Sequence, residues 1–271
     1  MPIHPTAIVD RRAEIDPTAE IGAYVIIDGV VRIGAGTRVY PHAYLTGWTE
    51  IGANCEVHPN AVIGHAPQDL AYRGEETYCR IGTGTIMREG VSIHRGTAPG
   101  SATVVGERCF LMANSHIGHN CLVGDDVKMA NGALLAGHVH VGNGAFLSGN
   151  LAIHQFCRVG DLVMAQGIVA VKMDVPPYFT VGPPGLCAGI NIVGLRRAGF
   201  TPEQRQDVQH AFRTLYRSGI TFRKALDRLA ETVKTDAGRR IVEFLRAPSK
   251  RGIVGCIHNR RGRTSTPETD G

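Results

Sequence analysis

The chain has 271 residues, a net charge of +5 and a composition that is 43% hydrophobic. It contains no run of roughly 18 apolar residues, and residues 1–15 carry charge, which argues against a membrane span and a signal peptide. We therefore expect a cytoplasmic protein whose seven cysteines are reduced.

A repeat with a strict period of six dominates residues 3–171. Nearly every sixth residue is large and aliphatic, as at Ile117 and Val123, and a small residue such as Cys121 lies two positions before it. Three six-residue units, each one short strand and one corner, close a triangular coil. The sequence therefore predicts a left-handed parallel β-helix over residues 1–190, with the hand implied only by the resemblance given below. Five cysteines occupy the small inward positions and are predicted core residues: Cys55, Cys79, Cys109, Cys121 and Cys157.

Two segments lack the repeat, at about 65–80 and at about 95–104. The register resumes after each of them, so we expect inserted loops that replace a coil without breaking the stack, which are places where sites often lie. The prolines at 176–177 are expected to end the coils, because they cannot donate to a β-ladder.

The period becomes helical in residues 191–248, which predicts a small α-helical C-terminal domain. A capping box at Thr201 starts the first helix and Gly219 ends it. Residues 249–271 are basic and then without pattern, so we expect a disordered tail. Two further helices are predicted from Thr221 and over about 237–246.

Positive charge is concentrated toward the C-terminus. Residues 196–263 contain 17 Lys or Arg and 6 Asp or Glu, whereas the rest of the chain contains 12 and 18. This asymmetry predicts an anionic partner at that end. Low aromatic content and the lack of a nucleic-acid motif favour an acidic carrier protein over nucleic acid.

The histidines of the coils avoid the inward positions, so they are expected to project outward or to sit at corners. His119, His138 and His154 are separated by close to whole 18-residue coils. Because coils stack about 4.8 Å apart, these three residues should line one ridge. A ridge of imidazoles is suited to proton transfer at neutral pH, and a zinc site is the alternative.

Seven segments of the chain form a distinctive set in order and spacing: Gln68-Asp69-Leu70, Ile93-His94-Arg95-Gly96-Thr97, His116-Ile117-Gly118-His119, His154-Gln155-Phe156, Asp174-Val175-Pro176-Pro177-Tyr178, Gly194-Leu195-Arg196-Arg197 and Tyr216-Arg217-Ser218-Gly219. This set resembles the UDP-N-acetylglucosamine O-acyltransferases of lipid A biosynthesis, a family of hexapeptide-repeat acyltransferases. The resemblance implies a homotrimer that transfers a 3-hydroxyacyl chain from acyl carrier protein to the glucosamine 3-position of UDP-N-acetylglucosamine, without a cofactor or metal.

The same resemblance implies roles for individual residues. His119 matches the general base, and Asn120, where the family commonly has aspartate, is expected to orient its ring. Gly137 matches the backbone N–H donor to the oxyanion. Gly167 matches the position that limits acyl-chain length, and a glycine there predicts a longer chain. The implied substrate-binding residues are Gln68, Asp69, Arg73, His94, His116, His138, His154, Gln155, Asn191 and Arg197.

Three departures from the family pattern leave alternatives open. Ala71 stands at a familiar lysine position, with Arg73 as the candidate replacement for the missing charge. Val193 stands at a position that is acidic in some members, and Asn120 follows the base. Acyl transfer to a UDP-3-amino-sugar or to another sugar nucleotide, and a catalytically silent β-helix scaffold, therefore stay open.

Overall fold

Short parallel strands repeat around three faces of a prism in a computed structural model, which describes residues 3–257 and, as backbone only, 264–265. His116 pairs with Leu134, and Leu134 pairs with Ala152, so equivalent residues lie 18 positions apart. Each coil therefore consists of three six-residue units. The predicted fold class, a parallel β-helix followed by a small helical domain, is confirmed.

The strands fall into three sets, one for each face. Face one contains Glu20–Ile21, Arg38–Val39, Glu56–Val57, Ile86–Met87, Phe110–Leu111, Lys128–Met129, Phe146–Leu147, Met164–Ala165 and Phe179–Gly182. Face two contains Ile8–Val9, Val62–His65, Ser92–His94, His116–Ile117, Leu134–Leu135, Ala152–Ile153 and Ala170–Val171. Face three contains Glu14–Ile15, Tyr78–Ile81, Ala102–Val105, Leu122–Val123, His140–Val141 and Arg158–Val159. Two longer strands run across faces two and three, Ile26–Ile33 and Tyr44–Ile51.

The interior is filled by large and small side chains in alternation, as the repeat predicts. Leu135 and Ala133 are both fully buried, and so is Cys121. All seven cysteines are free and buried. The Cys121 thiol donates to the Ala136 carbonyl of the next coil at 3.1 Å, and burial raises its pKa to about 12. Cys121 therefore acts as a small core residue that also satisfies a corner carbonyl.

Both insertions lie at the same corner of the prism, between faces two and three. The first adds 12 residues to the regular spacing of six between Ile63 and Ile81, and the second adds 6 between Ile93 and Val105. The expectation that each loop replaces a coil is wrong. Each loop leaves face two and returns to face three of the same coil, so the stack of coils continues beneath it.

We call this corner the histidine edge. Its regular coils turn with Asn120, His138 and Phe156 in the left-handed backbone region, at φ of 60°, 60° and 66°. These three residues therefore occupy equivalent positions in successive coils, about 4.8 Å apart. The histidine edge comprises residues 118–121, 136–139 and 154–157 and the loops 66–77 and 95–101.

The coils continue for one strand beyond the paired prolines. Phe179–Gly182 pairs in parallel with Met164–Ala165 on face one. The expected end at 176–177 is therefore one strand too early, because the prolines occupy a corner, where no ladder donor is required. An antiparallel strand, Leu186–Ile190, then leads to the helices.

Four helices follow the coils: α1 (Ile192–Arg197), α2 (Pro202–Arg217), α3 (Phe222–Thr232) and α4 (Asp236–Arg246). The capping box predicted at Thr201 is present: its side chain accepts from the Gln204 N–H, and its own N–H donates to Gln204 Oε1. The short α1 was not predicted. No helix within residues 3–257 is long and apolar enough to cross a membrane.

The expectation of a disordered tail from residue 249 is wrong for residues 249–257. The Asp174 N–H donates to the Gly252 carbonyl, and the Val254 N–H donates to the Asp174 carbonyl. Ile253, Val254 and Cys256 are buried, and Cys256–Ile257 extends the sheet beside Cys187. Apolar burial offsets the cost of ordering this basic segment. The rest of the predicted tail lies outside the described residues, apart from the backbone of Thr264–Ser265, which pairs with Cys256–Ile257.

A buried ion pair at Asp174 gives the first prediction. Asp174 is fully buried and accepts from Arg158 N at 2.8 Å and from Arg158 Nε at 2.7 Å. We expect Asp174→Ala to lower the free energy of unfolding by about 3–5 kcal/mol, because it leaves a largely buried guanidinium without its partner. Chemical denaturation measures this loss. In the control, Glu14→Ala removes an exposed ion pair with Arg32 and should lower the free energy of unfolding far less. Equal decreases in the two variants would contradict the prediction.

Candidate active site

The imidazole of His119 lies against the backbone of Gly137 in the next coil. A Cβ atom at residue 137 would lie 2.5 Å from His119 Cε1 and 2.6 Å from Nε2, so only glycine leaves room for the ring. The Gly137 N–H has no backbone acceptor within residues 3–257. A free N–H beside an imidazole is the arrangement that can stabilise a developing oxyanion.

Asn120 determines which nitrogen of His119 carries the proton. Its Oδ1 lies 3.2 Å from the Thr97 backbone nitrogen and 3.0 Å from His119 Nδ1. A backbone N–H can only donate, so the atom facing it must be the amide oxygen. That oxygen can only accept, and His119 Nδ1 must therefore donate to it. The lone pair of Nε2 is left free to take a proton.

The second inserted loop holds Asn120 in this orientation. Thr97 Oγ1 donates to Asn120 Oδ1 at 2.8 Å, and Asn120 Nδ2 donates to Ser101 Oγ at 3.0 Å. The Asn120 N–H donates to Thr103 Oγ1 at 2.7 Å. Sequence reasoning did not identify these three hydroxyl residues as part of the site. Their signal in the sequence is that they lie in or beside the second interruption of the repeat, and Thr97 also ends one of the segments that resemble the family.

His138 continues the site along the histidine edge. Its ring meets the His119 ring edge to face, with centroids 5.2 Å apart, and stacks on Phe156 at 4.9 Å. Burial lowers the pKa of His138, nearby His119 and Lys250 act in the same direction, and the Asp69 carboxylate opposes them. A neutral ring is therefore favoured at this position at pH 7.

His154 and Gln155 are exposed on the same edge, one coil beyond His138. The three predicted ridge histidines thus share one edge, but only His119 and His138 have rings in contact. His154 Nδ1 lies 3.1 Å from the Gln155 carbonyl. Among the described residues, no group of three His, Cys, Asp or Glu side chains is arranged to hold a metal ion.

Face two presents a row of histidines beside His119. His116 Nδ1 lies 2.8 Å from Ser92 Oγ, and the His94 ring packs between His116, at 5.0 Å, and His65, at 6.4 Å. His94 is only 6% exposed although it lies outside the inward register, and its Nδ1 has no partner in the described structure. Burial above all lowers its pKa to about 4 and also lowers the pKa of His116.

The first inserted loop carries three of the predicted substrate residues. Gln68 is exposed, and Asp69 Oδ1 accepts from the N–H of Ala71 at 2.9 Å in a tight turn. The Arg73 guanidinium donates to carbonyls of its own loop, among them that of Tyr72 at 3.2 Å. Arg73 is therefore used within the loop, and the structure does not place it as a replacement for the missing lysine.

Arg95, which is not among the predicted site residues, fastens the first inserted loop to the coils. The Arg95 guanidinium donates to the Tyr72 hydroxyl at 2.9 and 3.1 Å and to the Gly64 carbonyl at 2.8 Å. It also lies 5.8 Å from the centre of the Trp48 ring. This clamp limits the movement of the loop that carries Gln68 and Asp69.

Asn191 and Arg197 lie away from the histidine edge. They line an open groove of 720 Å³ on face one, together with Val193. Asn191 caps α1 through Gly194 N at 2.9 Å and donates from Nδ2 to the Leu162 carbonyl at 2.8 Å, so its side chain fastens α1 to the coils. Face one is opposite the histidine edge. One chain alone therefore does not bring these residues to His119.

Gly167 lies at the corner between faces one and two, also away from the histidine edge. A Cβ atom there would be 2.8 Å from the Gly149 carbonyl oxygen. Close approach of two coils thus explains the glycine itself. A longer acyl chain remains a prediction.

The chain matches two known families. A domain family described as Udp N-acetylglucosamine O-acyltransferase, domain 2, matches residues 174–254. The bacterial transferase hexapeptide family matches residues 30–65 and 102–137. The first match begins in the last coil and includes all four helices, and the second covers two stretches of the repeat.

Full-length relatives agree with these matches. The acyl-[acyl-carrier-protein]–UDP-N-acetylglucosamine O-acyltransferase of Syntrophobacter fumaroxidans is 45% identical, over 94% of this chain and 100% of the relative. The enzyme of the same name from Anaeromyxobacter sp. (strain K) is 44% identical over the same shares. The solved UDP-N-acetylglucosamine O-acyltransferase of Moraxella catarrhalis is 39% identical, with a TM-score of 0.90, over 94% of this chain and 100% of that one. The chain belongs to the acyl-[acyl-carrier-protein]–UDP-N-acetylglucosamine O-acyltransferase family.

Proposed function

We propose that the protein transfers a 3-hydroxyacyl chain from acyl carrier protein to the 3-hydroxyl of the glucosamine in UDP-N-acetylglucosamine, the first step of lipid A biosynthesis. The observation that carries this proposal is the geometry at His119. Asn120 fixes the proton on Nδ1, and Nε2 lies next to the backbone of Gly137, whose N–H meets no acceptor in residues 3–257. A base and an oxyanion donor side by side are what acyl transfer to an alcohol requires.

The reaction follows from these two groups. The sugar hydroxyl attacks the thioester carbonyl while Nε2 of His119 takes its proton, because an alcohol is a poor nucleophile until that proton is removed. The Gly137 N–H stabilises the oxyanion of the tetrahedral intermediate. The C–S bond then breaks, the imidazolium returns the proton to the leaving thiolate, and an ester and the free carrier thiol are released.

Neutral histidines beside the base are suited to hold the sugar nucleotide. The pKa of His94, His116 and His138 is lowered, chiefly by burial, which favours uncharged rings at pH 7. Their ring nitrogens can bond sugar hydroxyls or the diphosphate. Asp69 and Gln68 reach the same edge from the first loop and are proposed to contact the sugar.

The location of Arg197 supports a site shared between copies of the chain. Arg197 lies on face one, whereas His119 lies on the opposite edge. When the histidine edge of one copy faces the face-one groove of the next, His119 of the first copy and Arg197 of the second border the same site. Such a contact joins two different surfaces, and three of them close a ring. In such a homotrimer, the Arg197 guanidinium of one copy is available to the nucleotide phosphates at the histidine edge of the next. Gly167 is then proposed to lie beside the acyl chain.

The helices present the surface proposed for the carrier protein. Arg213 on α2 and Arg223 and Lys224 on α3 are exposed, and no ion pair forms at any of them within residues 3–257. An exposed basic surface attracts an acidic protein and accelerates its encounter. This placement brings the carrier to the end of the prism where the histidine edge approaches the helical domain.

The role of the base is tested by His119→Ala. We expect kcat for acyl transfer from 3-hydroxyacyl carrier protein to UDP-N-acetylglucosamine to fall by about 10²- to 10⁴-fold, because proton removal from the alcohol is lost. His140→Ala is the matched control, since His140 projects from face three of the next coil. The proposal fails if the His119 variant, folded and oligomeric, keeps wild-type turnover, or if both variants lose turnover equally.

The role of Asn120 is tested by two substitutions of similar size. Asn120→Leu removes the acceptor for His119 Nδ1, and we expect kcat to fall roughly 10- to 100-fold with little change in KM. Asn120→Asp keeps an acceptor for the donors at Thr97 and adds negative charge beside the imidazolium, so kcat should equal or exceed that of the wild type. Steady-state kinetics on both variants measure kcat and KM separately. An active leucine variant would show that the ring is oriented by other contacts.

A further inference from the structure

Lys250 is held at the histidine edge by a rigid turn. Ser249 Oγ accepts from the backbone N–H of Arg251 at 3.2 Å and of Gly252 at 2.8 Å. Arg251 Nε donates to the Lys172 carbonyl at 3.1 Å, which ties the turn to the last coil. The residues that follow are buried, beginning with Ile253. The position of Lys250 is therefore fixed from both sides.

The Lys250 ammonium extends the line of rings that begins at His119. It lies 4.5 Å from the centroid of the Phe156 ring, and Phe156 stacks on His138. Phe156 is two coils from the base, roughly 10 Å along the edge. Within the described residues Lys250 takes part in no ion pair, and its side chain is exposed.

We propose that Lys250 binds a phosphate group of a substrate at the helical-domain end of the histidine edge. The aromatic face holds the ammonium in place and leaves N–H groups directed away from the ring. Lysine binds phosphate as a point charge with several donors. Within the described residues no carboxylate pairs with Lys250, so its charge is available to an anionic ligand.

This inference rests on the proposed function, under which two phosphate groups enter the site. One is the diphosphate of the sugar nucleotide, and the other is the phosphodiester in the prosthetic arm of the carrier protein. Both groups carry the negatively charged phosphate oxygens that the Lys250 ammonium is proposed to bind. The arm would extend from its thioester beside Gly137 toward the basic helices, in the direction of Lys250 along the edge. Binding measurements with separate ligands distinguish the two sources.

Lys250→Met is the informative substitution, because it keeps a flexible apolar stem on Phe156 and removes the charge. We propose to measure dissociation constants by calorimetry for UDP-N-acetylglucosamine, 4′-phosphopantetheine and pantetheine, on the full-length oligomer. We expect the affinity for one of the two phosphate ligands to fall about tenfold, with pantetheine unaffected, and Lys250→Arg to restore most of the loss. Arg11→Met, which removes an exposed charge between faces two and three in the first coil, is the control and should change none of these dissociation constants.

The outcomes separate this inference from the proposed function. A loss for one phosphate ligand identifies the phosphate that Lys250 contacts. No change for either ligand, or an equal loss for pantetheine, overturns the inference, and so does wild-type protein that binds neither phosphate ligand. If the wild type binds a phosphate ligand through Lys250 but transfers no acyl group, the phosphate site stands and the proposed function fails.

Discussion

The narrow interior of the coil is the constraint on which the rest of the structure depends. Each six-residue unit must place one large and one small side chain inward, as at Leu135 and Ala133, and both are fully buried. Loops that do not fit this rule must leave at a corner, and large polar side chains must project outward. Both insertions leave at the same corner, so one edge of the prism collects the irregular backbone together with His119, His138 and the N–H of Gly137.

Two independent contacts define the position of His119. Gly137 in the next coil removes the side chain that would otherwise occupy the place of the ring, and Asn120 fixes the protonated nitrogen. The hydroxyl groups of the second loop hold the amide of Asn120 in turn. The His119 imidazole is thus positioned by a regular coil on one side and by an inserted loop on the other, and among the described residues no hydrogen-bond partner occupies its second nitrogen.

The sequence predicted the features that depend on local order. Alternating burial in the coils follows from the period of six, and the start of α2 at Thr201 follows from its capping box. The arrangement of the loops could not be predicted in the same way, because a spacing that is a multiple of six fits both a replaced coil and an enlarged corner. The hydrogen bond from the Thr97 N–H to Asn120 Oδ1 joins an irregular loop to a coil. The period of the sequence cannot predict such a contact. Lys250 lies in a segment whose composition indicated disorder but whose neighbours are buried.

The proposed site is divided between the histidine edge of one copy and face one of the next, and mixed oligomers test this proposal most directly. His119→Ala subunits and Arg197→Ala subunits would be unfolded and refolded together in equal amounts. A ring in which each contact joins two different surfaces retains both wild-type residues at about a quarter of its contacts. The account predicts that the mixture regains about that fraction of wild-type acyl transfer. Activity no greater than the average of the two separate variants would show that the residues do not act across a subunit contact.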